Sequence, residues 1–270
     1  MKFIRYQTPT GPALGSLKED GAVYAVAGDM FGAYTVGAKA GEFDSLRILP
    51  PVVPPKVIAV GANYRVHIHD ESKIPKFPML FMKPPSALIG HGQPIVLPRP
   101  EQFRYGIKHP DLIPNALGGI DYEGELVIVM GKRCRNVSEQ SALSYVLGYT
   151  CGNDVSARAL QEAEMATGVL LMSKGLDTFA PLGPCVATDL DPGNLGLRCR
   201  LNGQESYRCH TRDLLFGVAA LVTYISQGVT LEPGDCIYTG TASGGALQPG
   251  DTIEVDIDGI GTLRNPVVSA

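Results

Sequence analysis

The apolar positions of this chain fall in short runs of strand length between turn residues, and they alternate with polar positions more often than they recur at helical spacing. KFIRYQ, ALGSL and AVYAVAG, all within the first 28 residues, read as strands with glycine turns between them. Pro51, Pro54 and Pro55 then make a stiff, non-helical connector. The pattern therefore predicts a small N-terminal β unit over residues 1–53 and a larger domain over 54–270.

In the larger part, residues 56–60, 79–82, 95–97 and 121–130 are the clearest strands. Two helices are predicted. One is capped by Asn136 or Ser138 and runs to about Leu147; the other is capped by Thr211 or Asp213 and runs to Gln227, with Gly228 as its stop. In the second, Leu214, Val218, Leu221 and Ile225 form one stripe with Leu215 and Val222 beside it. Asn202-Gly203 is a two-residue hairpin turn, and Gly234-Asp235 and Gly250-Asp251 each lead into a strand. Residues 99–119 are irregular, punctuated by proline and glycine, and too long for a passive connection. The expected class is α+β and β-rich.

Composition narrows the function classes. With 44% hydrophobic and 19% charged residues the chain belongs with ordered globular proteins. A formal net charge of -4 and no cluster of Lys and Arg argue against a nucleic-acid partner. No run approaches the roughly 18 apolar residues of a spanning helix, and MKFIRYQTPTG has no apolar leader core, so a cytoplasmic protein without a membrane partner is expected. The six cysteines form no C-x-x-C pair and read as reduced thiols.

The chemistry concentrates in DYEGELVIVMG. Along a strand, Glu123, Glu125, Val127 and Val129 face one way, and Tyr122, Leu126, Ile128 and Met130 the other. Two carboxylates on one half-buried face raise each other's pKa unless a cation neutralises them. Either the strand end is solvated or a cation sits there. Asp154, just past the apolar run YVLGYTCGND, is the candidate third ligand, though an Asp in that position also suits a helix cap. All-oxygen ligation of this kind suits a hard divalent ion and leaves positions for water and a bidentate substrate.

Lys174, in a short polar break between apolar runs, is either a solvated lysine or a group that neutralises a substrate carboxylate or developing enolate. His67 and His69 precede Asp70 and Glu71; on a helix His67 would meet Asp70 at i+3 and Glu71 at i+4, so either acid would orient a general base, while a polar surface loop is the alternative. No dinucleotide, phosphate-loop or serine-elbow signature is present.

In order along the chain, VGANYRVH, FMKPPSALIG, DYEGELVIVMGKRCRNVSEQSALSYVLGYTCGNDVSAR, SKGLDTFAPLGP, LEPGDCIYTGT and PGDTIEVDIDGIGTLRNPV resemble the fumarylacetoacetate hydrolase family. That family includes acylpyruvate hydrolases, oxaloacetate decarboxylases and 2-hydroxyhepta-2,4-diene-1,7-dioate isomerases. The resemblance runs from about residue 54 to the end. It implies a mixed β-roll, a homodimer, and Mg²⁺ or Mn²⁺ held by Glu123, Glu125 and Asp154. It implies Lys174 and His67 as catalytic groups, with Asp70 or Glu71 as the acid beside His67. Tyr64, Arg158 and Thr241 are implied as substrate contacts, and the substrate as a small oxo acid or dicarbonyl. Three departures lie where substrate is selected: the acid spacing after His67, the shortened loop TGTASGGALQPGD, and the insertion at 99–119, from which Tyr105, Lys108 or His109 would reach the site. These departures leave room for a larger diketone-like substrate, or for a homologue that binds metal without catalysis.

Overall fold

The computed structural model describes residues 1–67, 74–99 and 119–270. Among these residues the chain forms twenty strands and few helices. The N-terminal strands are β1 (Lys2–Thr8), β2 (Gly11–Leu17), β3 (Ala22–Gly28), β4 (Tyr34–Glu42) and β5 (Ile48–Leu49). After the proline connector come β6 (Val57–Gly61), β7 (Met79–Lys83), β8 (Leu88–Ile89), β9 (Ile95–Leu97), β10 (Ile120–Tyr122), β11 (Gly124–Met130), β12 (Val146–Asn153), β13 (Ser156–Ala157) and β14 (Ala180–Ala187). The remainder is β15 (Gly196–Leu201), β16 (Gln204–His210), β17 (Cys236–Tyr238), β18 (Gly245–Ala246), β19 (Thr252–Ile257) and β20 (Gly261–Ser269). Among the described residues the α-helices are α1 (Glu139–Ala142), α2 (Arg158–Met165) and α3 (Val218–Gly228).

One large mixed sheet runs β4-β3-β2-β1-β14-β12-β11-β17-β6-β7, with β5 beside β1 and β8 beside β14. A five-stranded sheet, β16-β15-β19-β20-β9, packs on it, and a short third sheet, β13-β10-β18, lies at the site. The β-rich class expected from the pattern and the mixed sheet implied by the resemblance are what the chain forms. β1 hydrogen-bonds β14, so the N-terminal strands extend the main sheet rather than forming a separate one.

β11 lies at the centre, and its faces divide as alternation predicts. Leu126, Ile128 and Met130 join one core cluster, while Val127 and Val129 join a second with Tyr238 and Leu182. Every residue of β11 is buried because both faces of the strand are covered. Gly124 makes this closure feasible: a Cβ there would sit 2.2 Å from the Cys199 sulfur of β15.

Asn202 and Gly203 both take positive φ, 54° and 78°, as a tight hairpin turn between β15 and β16 requires. Two helix expectations need correction. The segment from 136 to 147 forms only the one-turn α1 and a 3₁₀ turn at Leu143–Tyr145, because Val146 and Leu147 already belong to β12. The helix expected from 211 starts late: Thr211–Asp213 is a 3₁₀ turn, Leu214 makes a β-bridge with Tyr64, and α3 begins after Gly217. Val218, Leu221, Val222 and Ile225 do form its buried stripe. α2 went unpredicted. Of the 99–119 insertion, residues 100–118 lie outside the described residues.

Candidate active site

The site is assembled where β11 begins. The β ladder breaks at Glu123, between β10 and β11, and the freed backbone is recaptured by neighbours. The Glu123 amide donates to Asn153 Oδ1 at 2.8 Å, and the Asp154 amide donates to the Glu123 carbonyl at 2.8 Å. This brings the end of β12 against the start of β11 and sets Asp154 beside both glutamates. Glu123, Glu125 and Asp154 can each offer an oxygen such that all three lie within 4.8 Å of one another. Their exposures are 6%, 1% and 1%, so the solvated-strand-end alternative does not describe them.

Such charge density survives burial only if neutralised. Lys174 Nζ lies 2.8 Å from Glu123 Oε2 and 2.7 Å from Asp154 Oδ2, so it is no solvated lysine. Burial lowers the pKa of its ammonium, but Asp154 and Glu123 outweigh that, and the net shift is upward. Its charge also rests near the Phe81 ring, 5.3 Å from the centroid. Lys83, at the end of β7 and fully buried, pairs with Asp154 Oδ1. Burial acts against the Asp154 carboxylate too, yet the two lysines hold its pKa below the usual range. Arg158, first residue of α2, donates to Glu123 Oε1 at 2.6 Å and Asp121 Oδ2 at 2.8 Å.

Glu125 differs from its neighbours. Among the described residues no cation pairs with it; its Oε2 accepts only the Gly240 amide, at 2.7 Å. Burial, then the charges of Asp154 and Glu123, push its pKa well above the carboxylate range. Gly240 has φ +97°, and a Cβ there would come within 3.0 Å of the Val60 carbonyl, so glycine is what allows this backbone donor. A buried carboxylate without a cation, facing two more, fits a divalent ion by donor chemistry and by charge. Glu123, Glu125 and Asp154 are therefore suited to hold one.

The three carboxylates line a cavity of about 580 Å³ whose wall also includes Gly61, Ala62, Met79, Phe81, Arg158, Gln161, Met165, Leu170, Lys174 and Thr241. Thr241 Oγ1 lies 2.9 Å from Tyr207 Oη and donates to the Ser243 carbonyl at 2.6 Å. Tyr64 is not brought to the cavity wall: it is 1% exposed, held by its bridge to Leu214. His67 ends a 3₁₀ turn, Arg65–His67, directly after the cavity-lining strand end, while Asp70 and Glu71 lie outside the described residues. Asn63 locks this approach, its amide donating to the Thr239 and Phe216 carbonyls at 2.8 and 3.0 Å and its oxygen accepting from the Phe216 amide at 2.8 Å. Sequence reasoning missed Lys83. The available signal was one lysine ending an apolar strand before two prolines.

The β-rich fold sets a buried acidic triad and two buried lysines together beside a cavity, the setting of an enzyme's active site. The fumarylacetoacetate (FAA) hydrolase C-terminal family model matches residues 56–268, and a model for the Rv2993c-like N-terminal region matches 1–51. The chain belongs to the fumarylacetoacetate hydrolase family and is an enzyme. It is 39% identical to protein Rv2993c of Mycobacterium tuberculosis, over 99% of this chain and 98% of that one. It is 36% identical to the mitochondrial oxaloacetate tautomerase fahd2 of Xenopus laevis, over 83% and 69%. Among solved structures, 5-carboxymethyl-2-hydroxymuconate delta-isomerase of Mycobacterium smegmatis superposes with TM-score 0.86 at 38% identity, covering all of both chains. Maleylpyruvate hydrolase of Sphingobium sp. SYK-6, in complex with manganese(II) and pyruvate, gives TM-score 0.77 at 26% identity, again over the whole of both chains. No helix among the described residues is long and apolar enough to cross a membrane.

Proposed function

We propose that this enzyme depends on Mg²⁺ or Mn²⁺ and acts on a small 2-oxo acid or 1,3-dicarbonyl, moving a proton or breaking a C–C bond through an enolate. The observation that carries this reading is Glu125, a buried carboxylate with no paired cation among the described residues, set beside two further carboxylates on a cavity wall. When bound, the ion supplies Lewis-acid polarisation of adjacent substrate oxygens. The manganese and pyruvate in the Sphingobium structure support both the ion and the oxo-acid class.

The chain's own groups then have separable tasks. Lys174 points positive charge at the oxygen where enolate charge develops, in a site too dry for water to screen it. Arg158 fixes Glu123 from the opposite side to Lys174. The Thr241 hydroxyl, by turning its hydrogen from the Ser243 carbonyl, would donate to a substrate carboxylate. Met79, Phe81 and Leu170 cover the carbon frame and keep bulk water off it. His67, with Asp70 or Glu71, moves the proton or activates water. Tyr64 acts indirectly, by supporting the turn that carries His67.

Charge balance narrows the substrate. Lys83, Lys174 and Arg158 face four carboxylates, Asp121 as well as the three ligands, so a bound divalent ion leaves the site about one charge positive. That favours an anionic substrate, which chelates the ion and offsets the charge at once. Proton relocation, as the names of the Mycobacterium smegmatis and Xenopus proteins indicate for them, is the first reaction to test. We further propose a cytoplasmic homodimer. The test is a panel of oxaloacetate, acylpyruvates and hydroxymuconate-like diacids with Mg²⁺ or Mn²⁺, following keto–enol exchange, decarboxylation and cleavage. Metal-dependent turnover of one or more diacids is expected, and turnover of none would overturn the reading.

A further inference from the structure

Helix α2 bears on the site at both ends. At its start Arg158 grips Glu123 and Asp121. Its last turn carries Glu164, an acid at the helix end where the backbone dipole is negative and an acidic side chain is disfavoured. Three donors offset that cost. The Glu164 carboxylate accepts the Met172 amide at 2.8 Å through Oε1, and through Oε2 the Ser173 amide at 2.9 Å and the Ser173 hydroxyl at 2.5 Å. The next residue is Lys174.

Between α2 and Lys174, Val169, Leu171 and Met172 are 58%, 51% and 44% exposed, so side-chain burial in this stretch is confined to Leu170 and Ser173. Leu170 is buried, the Ser173 carbonyl accepts the Ala157 amide at 2.9 Å, and the Gly175 amide donates to the Leu171 carbonyl at 2.8 Å. Those two bonds hold the backbone on the side of β13 and within the turn. Among the described residues, the side-chain hydrogen bonds from Met172 and Ser173 to α2 all go to Glu164, and the other end of α2 is fixed on the carboxylates.

We propose that Glu164 is a positioning residue that sets the place of the Lys174 ammonium through the Met172-Ser173 backbone. This rests on the reading of Lys174 as the group facing the developing enolate. Glu164 touches no reacting atom. Its loss lets the loop drift, and Lys174 no longer meets Glu123 and Asp154 together.

The test compares wild type, Glu164→Ala, Glu164→Gln and Ser173→Ala by lysine acylation followed by mass spectrometry, a readout independent of turnover. Lys174 and Lys83 are both almost wholly buried and both bind Asp154, but Lys83 comes from β7 and does not depend on the loop. In Glu164→Ala, Lys174 labelling is expected to rise severalfold while Lys83 stays unlabelled. Where a substrate is in hand, kcat falls about 10- to 100-fold, the scale of a reacting group misplaced by about an ångström, with KM changing less than kcat. Glu164→Gln keeps one oxygen acceptor and recovers part of both effects, and Ser173→Ala, which removes one of three donors and leaves the fold intact, shows a smaller rise. Unchanged Lys174 labelling in Glu164→Ala, or a parallel rise at Lys83, would overturn the proposal. Failure of the enolate reading would show separately, as Lys174→Met leaving turnover untouched.

Discussion

Replacing Lys83 with methionine tests how the acidic cluster is held together. The thioether chain keeps most of the lysine's volume at the end of β7, so little cavity forms and the change is mainly one of charge. Asp154 then loses one of two ammonium partners in a place where neither side chain sees water. Breaking a buried pair from one side costs about 3–5 kcal/mol. Lys174 remains 2.7 Å from the other carboxylate oxygen, which puts the loss near the lower value. For 270 residues, an unfolding entropy of about 2.1 cal/mol/K per residue gives roughly 570 cal/mol/K, so about 3 kcal/mol lowers Tm by about 5 °C. Metal should reverse much of this, because Lys83 repels an ion held by the carboxylate it pairs with. Each tenfold gain in affinity adds about 1.4 kcal/mol to the bound protein, or about 2–3 °C. Scanning calorimetry of both proteins, metal-free and with saturating Mn²⁺, reads the two effects together. A metal-free Tm within about 1 °C of wild type, or a metal-induced rise no larger than wild type's, would refute the reasoning.

The pKa of Glu125 is raised, first by burial and then by Asp154 and Glu123. The proton it binds therefore stabilises the metal-free fold below the ordinary carboxylate range, and that contribution is lost as pH climbs through the raised value. Glu125→Gln removes this titration, so without metal the variant should melt above wild type at pH 8 and close to it at pH 5; equal melting curves at both pH values would contradict the assignment. Asn63→Ala deletes three hydrogen bonds that hold the approach to the cavity. It should cost about 3 kcal/mol in urea denaturation at about 1 kcal/mol per bond, and a loss below about 1 kcal/mol would show that the latch is not structural.

What could be read from the sequence follows from what each feature needs. The two glutamates were legible because strand alternation put them on one face and like charges there demand a cation. Asp154 was less so: spacing alone also allowed a helix cap, and only the folded chain shows its amide bonded to Glu123. Lys83 was illegible because its partner is 71 residues away, and a single lysine at a strand end looks like a solvated one. α2 has no buried residue, so no apolar stripe marked it. The 136–147 segment failed for the opposite reason, since a good cap and apolar spacing described a helix while Val146 and Leu147 pair in β12. Leu214 reads as a helix residue and Tyr64 as a substrate contact, and the bridge between them is a long-range contact that no local pattern encodes.

We propose that Glu123, Glu125 and Asp154 form one divalent-ion site. Titration calorimetry with Mn²⁺ on wild type and Glu125→Gln tests it most directly. One ion per chain is expected for wild type. In the variant, affinity should fall by more than the roughly 10- to 100-fold typical of losing an outer-shell partner, with the thermal transition retained. Wild-type affinity in Glu125→Gln would contradict it.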